Sequence, residues 1–366
     1  MNVTIAPGDG IGPETLEVAL DALRAAGAPI TLEAVSLTDL PAAVEAARNG
    51  AGVLLKGPSA DPEVTAALRR LAGTFADKRV YRMLPGVPTP LGLRELNLTL
   101  VCERQGDELR GDERMVRDGV AACRRYASRD SALRVHRYTF EMAARKGARR
   151  VTCGHLADVM KLVDGLFLEA FYEVAAEYPK IRADDLSIDK LALQLVSTPE
   201  AFDVIVLPDM PGDIIPDLAA GLVGGLAYAP SALIGEHISI FEPVHGPSAE
   251  LAGRDLANPT AMVLAATMLL RHVGRIDEAR LIERSLERAS YAINRSRAVR
   301  SHVGGFRTSV FRYLLVAELQ TELRTDLQRE LQSTPHATTK QPSANTSMTT
   351  TQWIDRSLSS QLEGLA

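Results

Sequence analysis

The sequence has only three cysteines, Cys102, Cys123 and Cys153. They are too few and too far apart for a disulfide framework or a cysteine zinc site. There is no basic excess either: 41 Lys and Arg stand against 46 Asp and Glu, for a net charge of −5. A nucleic-acid surface wants the opposite balance. No apolar run approaches the roughly 18 residues of a membrane-spanning helix. The opening MNVTIAPGDGIGPE lacks the charged segment and apolar core of a secretion signal. These absences predict a cytoplasmic protein with no nucleic-acid and no membrane partner.

What is present is ordinary for a globular chain: 366 residues, 46% hydrophobic and 24% charged. That length suits two domains or one large α/β unit. NVTIAPG, GVLLKGP, LTLVCER, VTCGH and FDVIVLP have the make-up of short buried strands. PETLEVALDALRAAG, VMKLVDGLFLEAFYEVAAEYP, GDIIPDLAAGLVGG, NPTAMVLAATMLLRHVG and DEARLIERSLERASYAI carry helical spacing. Their alternation predicts an α/β fold with a largely parallel sheet. From about residue 333 the chain turns to Thr, Ser, Pro and Gln, which predicts disorder. Its last segment, WIDRSLSSQLEGLA, sets Trp353, Ile354, Leu358, Leu362 and Leu365 at helical spacing. That is either a floppy end or a short helix that docks on a protein partner.

Four stretches carry chemistry. PGDGIG, residues 7–12, is a glycine turn between strand and helix that lets the backbone approach a ligand. In PGDIIPDLAAG, Asp213 and Asp217 are four residues apart at a helix start, so both carboxylates share one face. Such a pair suits Mg²⁺ or Mn²⁺, which take oxygen ligands, and equally a capped helix with a solvated acid. IFEPVHGPSAELAGRDLANPTA brings His245 and Asn258 to a loop before a helix, where they suit an adenosine or a plain turn. ALRRLAGTFADKR carries Arg69, Arg70 and Arg79, suited to bidentate bonds with a polycarboxylate or to a solvated helix face.

In this order IAPGDGIGPE, LLKGP, RMLPGV, MKLVDGLFLE, FDVIVLPDMPGDIIPDLAAGLVGG, IFEPVHG and ANPTAMVLAATMLLRHVG resemble the isocitrate/isopropylmalate dehydrogenase family. These are metal-dependent, decarboxylating hydroxyacid dehydrogenases, and the wording is most similar to the bacterial NAD-type isocitrate branch. The resemblance covers about residues 1–275 and extends to about 325. It implies a two-domain α/β sandwich with a central mixed, largely parallel sheet, working as a homodimer. Residues 1–100 and 241–330 would form the cofactor-side domain, 101–240 the substrate and dimerisation domain, and 331–366 a disordered tail with a short helix.

The same resemblance implies site residues. Asp213 and Asp217 match metal ligands for Mg²⁺ or Mn²⁺, with Asp189 given by a neighbouring protomer. Arg69 and Arg79 match substrate-gripping arginines, and Thr65 lies on the substrate loop. His245, Gly246 and Asn258 match the loop that holds the adenosine half of NAD. Glu250 and Leu251 fall where NADP users place cations or a tyrosine, and an acid there favours NAD.

Other positions depart from the family. Its third substrate arginine falls at Cys102, its proton-donating tyrosine at Leu109 and its hydroxyl-handling lysine at Leu156. Asp158, Glu63 and Thr65 replace an asparagine, a serine and an asparagine. Leucine cannot transfer a proton, and cysteine cannot grip a carboxylate with two bonds. The expected function is therefore a divergent NAD- and divalent-metal-dependent dehydrogenase of a small malate-type hydroxyacid, with or without decarboxylation, and not ordinary isocitrate turnover. Asp158 and Lys161, with His155, are the candidates for a proton route. The alternative is a catalytically impaired family member acting as a regulatory or binding subunit.

Overall fold

A computed structural model describes residues 1–93, 95–104, 113–295 and 307–333. Leu109 and the tail beyond Ser333, including the expected helix of residues 353–366, lie outside the described residues. In chain order the elements are β1 (Asn2–Ala6), α1 (Gly12–Ala25), β2 (Thr31–Ala34), α2 (Leu40–Asn49), β3 (Val53–Lys56), α3 (Pro62–Ala72), β4 (Thr74–Arg82), β5 (Asn97–Glu103), β6 (Glu113–Arg117) and β7 (Val120–Cys123). They continue with α4 (Arg129–Lys146), β8 (Arg150–His155), α5 (Val163–Ala175), β9 (Arg182–Ser187), α6 (Ile188–Ser197), β10 (Val204–Leu207) and α7 (Pro211–Leu222). Last come β11 (Pro230–Gly235), β12 (Ser239–Pro243), α8 (Thr260–His272), α9 (Ile276–Arg295) and α10 (Thr308–Ser333). Met1–Leu323 form one compact unit. Among the described residues no helix is long and apolar enough to cross a membrane.

The α/β class and the mixed, largely parallel sheet follow the sequence. Ten strands run in the order β2-β1-β3-β12-β11-β4-β5-β10-β8-β9. β2, β1, β3 and β12 are mutually parallel, as are β5, β10, β8 and β9. Between the two blocks β11 and β4 pair antiparallel to each other and to their outer neighbours. The blocks therefore point in opposite directions. A separate hairpin, β6–β7, stays outside this sheet.

Period-two alternation assigns each strand residue to a face. Val204 and Val206 enter the large core with α4, α5, α8 and α9, while Ile205 and Leu207 turn to the opposite side with α6 and α7. Leu54 turns to that same side with α2 and α3. The second face thus carries two apolar clusters, one under α2 and α3 and one under α6 and α7. Between them lies a polar strip.

Two of the departures from the sequence reading bear on the site. The helix expected from residue 159 begins at Val163, because Asp164 draws the preceding segment into a turn. Its Oδ2 accepts from the Leu156 N–H at 2.7 Å, and its Oδ1 from Arg125 Nη1 at 2.8 Å. β4 was not anticipated, since Asp77, Lys78 and Arg79 interrupt its apolar alternation.

Candidate active site

The polar strip is built by register. Lys56 follows Leu54 by two residues and so shares its face. Glu242 pairs with Ser231, Ser231 with Arg79, and Asp77 with Cys102 across neighbouring strands. Lys56, Glu242, Ser231, Arg79, Asp77 and Cys102 therefore line one face in sequence across five strands. Arg104 continues the row two residues beyond Cys102.

Burial makes pairing obligatory there. Lys56 donates to Glu242 Oε2 at 2.6 Å and to the Gly57 carbonyl at 3.0 Å. Arg69, on the last turn of α3, reaches Glu242 Oε1 at 3.3 Å. Burial pushes the Glu242 carboxyl up, but Lys56 and Arg69 outweigh that and hold it below its ordinary range. Asp77 is fully buried and accepts from Ser231 Oγ at 2.6 Å, Arg104 Nη2 at 2.9 Å and Arg79 Nε at 3.1 Å. Burial opposes its ionisation, yet Arg79 and Arg104 keep it well below the usual carboxylate range. Burial pushes the Cys102 thiol up to about 12, so it stays protonated.

The strip opens into a cleft of ≈ 150 Å³ whose lining includes Thr65, Arg69, Arg79, His245 and Gly246. Five of the expected site residues thus share one cavity. Three loops close its rim. The Asp9 N–H donates to the Pro58 carbonyl and the Ile11 N–H to the Pro247 carbonyl, both at 2.8 Å. Gly10 has φ +57°, and a Cβ there would fall 1.9 Å from the Pro247 oxygen, so this seam admits only glycine. His245 Nδ1 lies 2.9 Å from the Gly246 carbonyl, which assigns the proton to Nδ1. Its Nε2 is buried without a partner among the described residues and is left as an acceptor.

The remaining expected residues sit around this cavity. Asn258 Oδ1 accepts from the N–H at 3.1 Å and the hydroxyl at 2.7 Å of Thr260, the first residue of α8. Glu250 is exposed on a 3-10 turn with Leu251, and Arg254 Nη1 donates to the Glu250 carbonyl at 3.2 Å. Asp213 is in the first turn of α7 and Asp217 in the second, both exposed on one side. Each is engaged: Arg104 Nη1 lies 2.7 Å from Asp213 Oδ1, and Arg79 Nη1 lies 3.4 Å from Asp217 Oδ1. Asp189 is exposed at the start of α6, where a hydrogen bond from Ser187 holds its carboxyl below the usual range. Among the described residues no three His, Cys, Asp or Glu side chains gather to hold an ion, so these three aspartates do not assemble within one chain. Asp158 and Lys161 are exposed on the segment between β8 and α5. His155 faces Asp185, with Nε2 2.8 Å from Oδ2, while its Nδ1 accepts from the Ala157 N–H at 3.0 Å.

Lys56, Asp77, Ser231, Glu242 and Arg104 were absent from the sequence-based set. The signal for Arg104 was available in LVCER. A residue two places after Cys102 on a strand shares its face.

The family model for isocitrate/isopropylmalate dehydrogenase matches residues 2–299. Isocitrate dehydrogenase [NADP] of Thermus thermophilus is 38% identical over 320 residues, which is 83% of this chain and 64% of that protein. The 3-isopropylmalate dehydrogenase of Archaeoglobus fulgidus is 41% identical over 298 residues, 78% of this chain and 90% of that one. The crystal structure of isocitrate dehydrogenase from Methylococcus capsulatus superposes with a TM-score of 0.77 at 31% identity, covering 87% of this chain and 99% of that chain.

Proposed function

Because the chain belongs to the isocitrate/isopropylmalate dehydrogenase family of oxidoreductases, we propose that it is a divergent NAD-dependent dehydrogenase of a small malate-type hydroxyacid. The observation that carries this reading is the shared cavity: the dinucleotide-side His245 and Gly246 line the same cleft as Arg69 and Arg79. Members of the family use NAD(P) and a divalent metal. NAD, when bound, supplies the hydride acceptor. The chain's own residues bind and orient. Arg69 Nε is buried without a partner among the described residues, and its contact with Glu242 is long at 3.3 Å. A substrate carboxylate can therefore take that guanidinium over. Arg79 meets Asp217 at only 3.4 Å and supplies a second grip. Leu156 offers no proton acceptor, so proton handling is assigned to Asp158 and Lys161, acting on the cleft of a second protomer.

That assignment needs a homodimer. We place residues 1–100 and 241–330 on the cofactor side and 101–240 on the substrate and dimer side. Val159, Leu162, Leu193, Val196 and Ile214 are exposed apolar side chains, all within 101–240, and the hairpin β6–β7 in the same span is almost wholly exposed. Light scattering is expected to give about twice the 39.5 kDa of one chain. A Leu162→Asp/Leu193→Asp variant is expected to halve it. A monomeric wild-type protein would remove the second protomer, and the proton route with it.

The function itself is tested by following absorbance at 340 nm over a panel of malate-type acids, with calorimetry for both cofactors. NAD is expected to bind more tightly than NADP, because the Glu250 carboxylate repels a 2′-phosphate. Isocitrate is expected to turn over at least about 10²-fold more slowly than the ordinary range of about 1–10³ per second, since the family's acid and base are leucines. Ordinary isocitrate turnover, or tighter NADP binding, would contradict the reading.

One observation favours the alternative of a regulatory or binding role: Arg79 and Arg104 are already neutralised by carboxylates of the same chain. Calorimetric NAD binding without turnover of any acid in the panel would select it.

A further inference from the structure

Arg104 stands among three carboxylates at the helix that presents the expected metal ligands. Its side chain is only 7% exposed. Nη1 lies 2.7 Å from Asp213 Oδ1 and 3.3 Å from Asp209 Oδ1, and Nη2 lies 2.9 Å from Asp77 Oδ2. Register fixes this position. β5 ends at Glu103, and the Arg104 N–H donates to the Phe75 carbonyl at 2.8 Å, which extends the pairing with β4 by one residue. The guanidinium is thus aimed along the same face as Asp77 and under the first turn of α7. It cannot swing clear without leaving buried Asp77 short of a cation.

We propose that the Arg104 guanidinium is a built-in cation that takes the place of a divalent ion beside Asp213, so that this site holds Mg²⁺ or Mn²⁺ only weakly. A divalent ion bonded to an Asp213 oxygen would stand within about 5 Å of the guanidinium, because metal–oxygen bonds are about 2.0–2.6 Å long. At that range a double and a single positive charge repel strongly, even at the effective dielectric of a protein surface. Asp213 also has one oxygen committed, and Asp217 gives one of its own to Arg79. The two aspartates therefore meet arginines where the resemblance places an ion. The proposal rests on the geometry of the site residues and is independent of whether any acid is oxidised.

The test reads metal binding directly. Mn²⁺ is titrated into the full chain and free Mn²⁺ is followed by electron paramagnetic resonance. The wild-type protein is expected to leave micromolar Mn²⁺ free. The charge-neutral pair Arg104→Gln/Asp77→Asn removes the guanidinium and its buried partner together, and is expected to bind Mn²⁺ on the order of 10²-fold more tightly. Adding Asp213→Asn to that pair is expected to abolish the gain. If the polar pair does not fold, Arg104→Met/Asp77→Leu serves instead, since apolar replacement of a buried ion pair is often neutral. Stoichiometric Mn²⁺ binding by the wild-type chain that Asp213→Asn removes would overturn the proposal. So would a folded charge-neutral pair that binds no better than wild type.

Discussion

Asp77→Ala is expected to cost about 3–5 kcal/mol of stability, the usual penalty for stripping one partner from a buried ion network. Asp77 is fully buried, and its carboxylate is the common acceptor of Arg79, Arg104 and Ser231. Without it two largely buried guanidiniums face each other with only the exposed Asp213 and Asp217 and the part-buried Asp209 as counter-charges. In a chain of this size the loss corresponds to a fall in melting temperature of roughly 4–7 °C. The pH dependence has a definite sign. The folded-state pKa of Asp77 is depressed, so its stabilising contribution is full above the ordinary carboxylate value of about 3.9 and is lost only as pH falls below it. The gap between wild type and variant is therefore expected to be flat between pH 5 and 8 and to close in stronger acid. Thermal melts across that range check both statements. A gap under about 1 kcal/mol at pH 7 would mean that the two arginines find other partners at no cost.

Cys102→Arg, the change that writes the family's third arginine back into the sequence, is expected to destabilise the chain by at least about 4 kcal/mol rather than to restore activity. Two effects add. A Cβ built on Gly212 falls 2.7 Å from Cys102 Cβ, so the start of α7 lies directly over this side chain and leaves no room for a longer one. Overpacking of that kind costs about 1–3 kcal/mol. The new guanidinium would also be a third buried cation beside Arg79 and Arg104, with Asp77 as its nearest carboxylate, which adds a further few kcal/mol. The swap Cys102→Arg/Arg104→Leu keeps the number of buried cations constant and is expected to recover part of the loss. Urea midpoints of the single and double variants decide this. A stable single variant would show that α7 shifts readily. Reversions at Glu63, Leu109 and Leu156 are then best combined with the swap, because residues acting as one catalytic unit are not additive.

The sequence carried the apolar architecture well. FDVIVLP and GVLLKGP became strands buried on both faces, β10 and β3, and the amphipathic stretch after Gly274 became α9. The glycine turn PGDGIG, read in the sequence as room for a ligand to approach, is packed as a backbone seam against the Pro58 and Pro247 carbonyls. β4 stayed hidden because its charges are paired only in three dimensions. Asp77 meets Ser231 across 154 residues of chain, and no local pattern encodes that. Lys56 and Glu242 were quoted within LLKGP and IFEPVHG but given no role, since each lies as a lone Lys or Glu whose partner lies in the other motif. Of the five expected residues in the cleft, His245 and Gly246 lie in an ordered motif, while Thr65, Arg69 and Arg79 were placed only through the resemblance, between LLKGP and RMLPGV. The identity of the cation beside Asp213 was not legible, because it depends on strand register two residues past the familiar position.

The meeting of the two parallel blocks also dictates an order of assembly. β3 is flanked on one side by β1 and on the other by β12, which begins only at Ser239. On the ribosome the first parallel block is therefore made early but stays open along β3 until nearly two-thirds of the chain has emerged. During that interval the edge strand ends in Lys56, whose counter-ion Glu242 has yet to be made. An unpaired ammonium on a bare strand edge discourages a second nascent chain from adding to it. Parallel sheets closed by such distant segments form slowly, because the entropy of the long loop is lost before the contacts that reward it appear. The lysine that later lies sealed in the strip is, until then, a guard on an open edge.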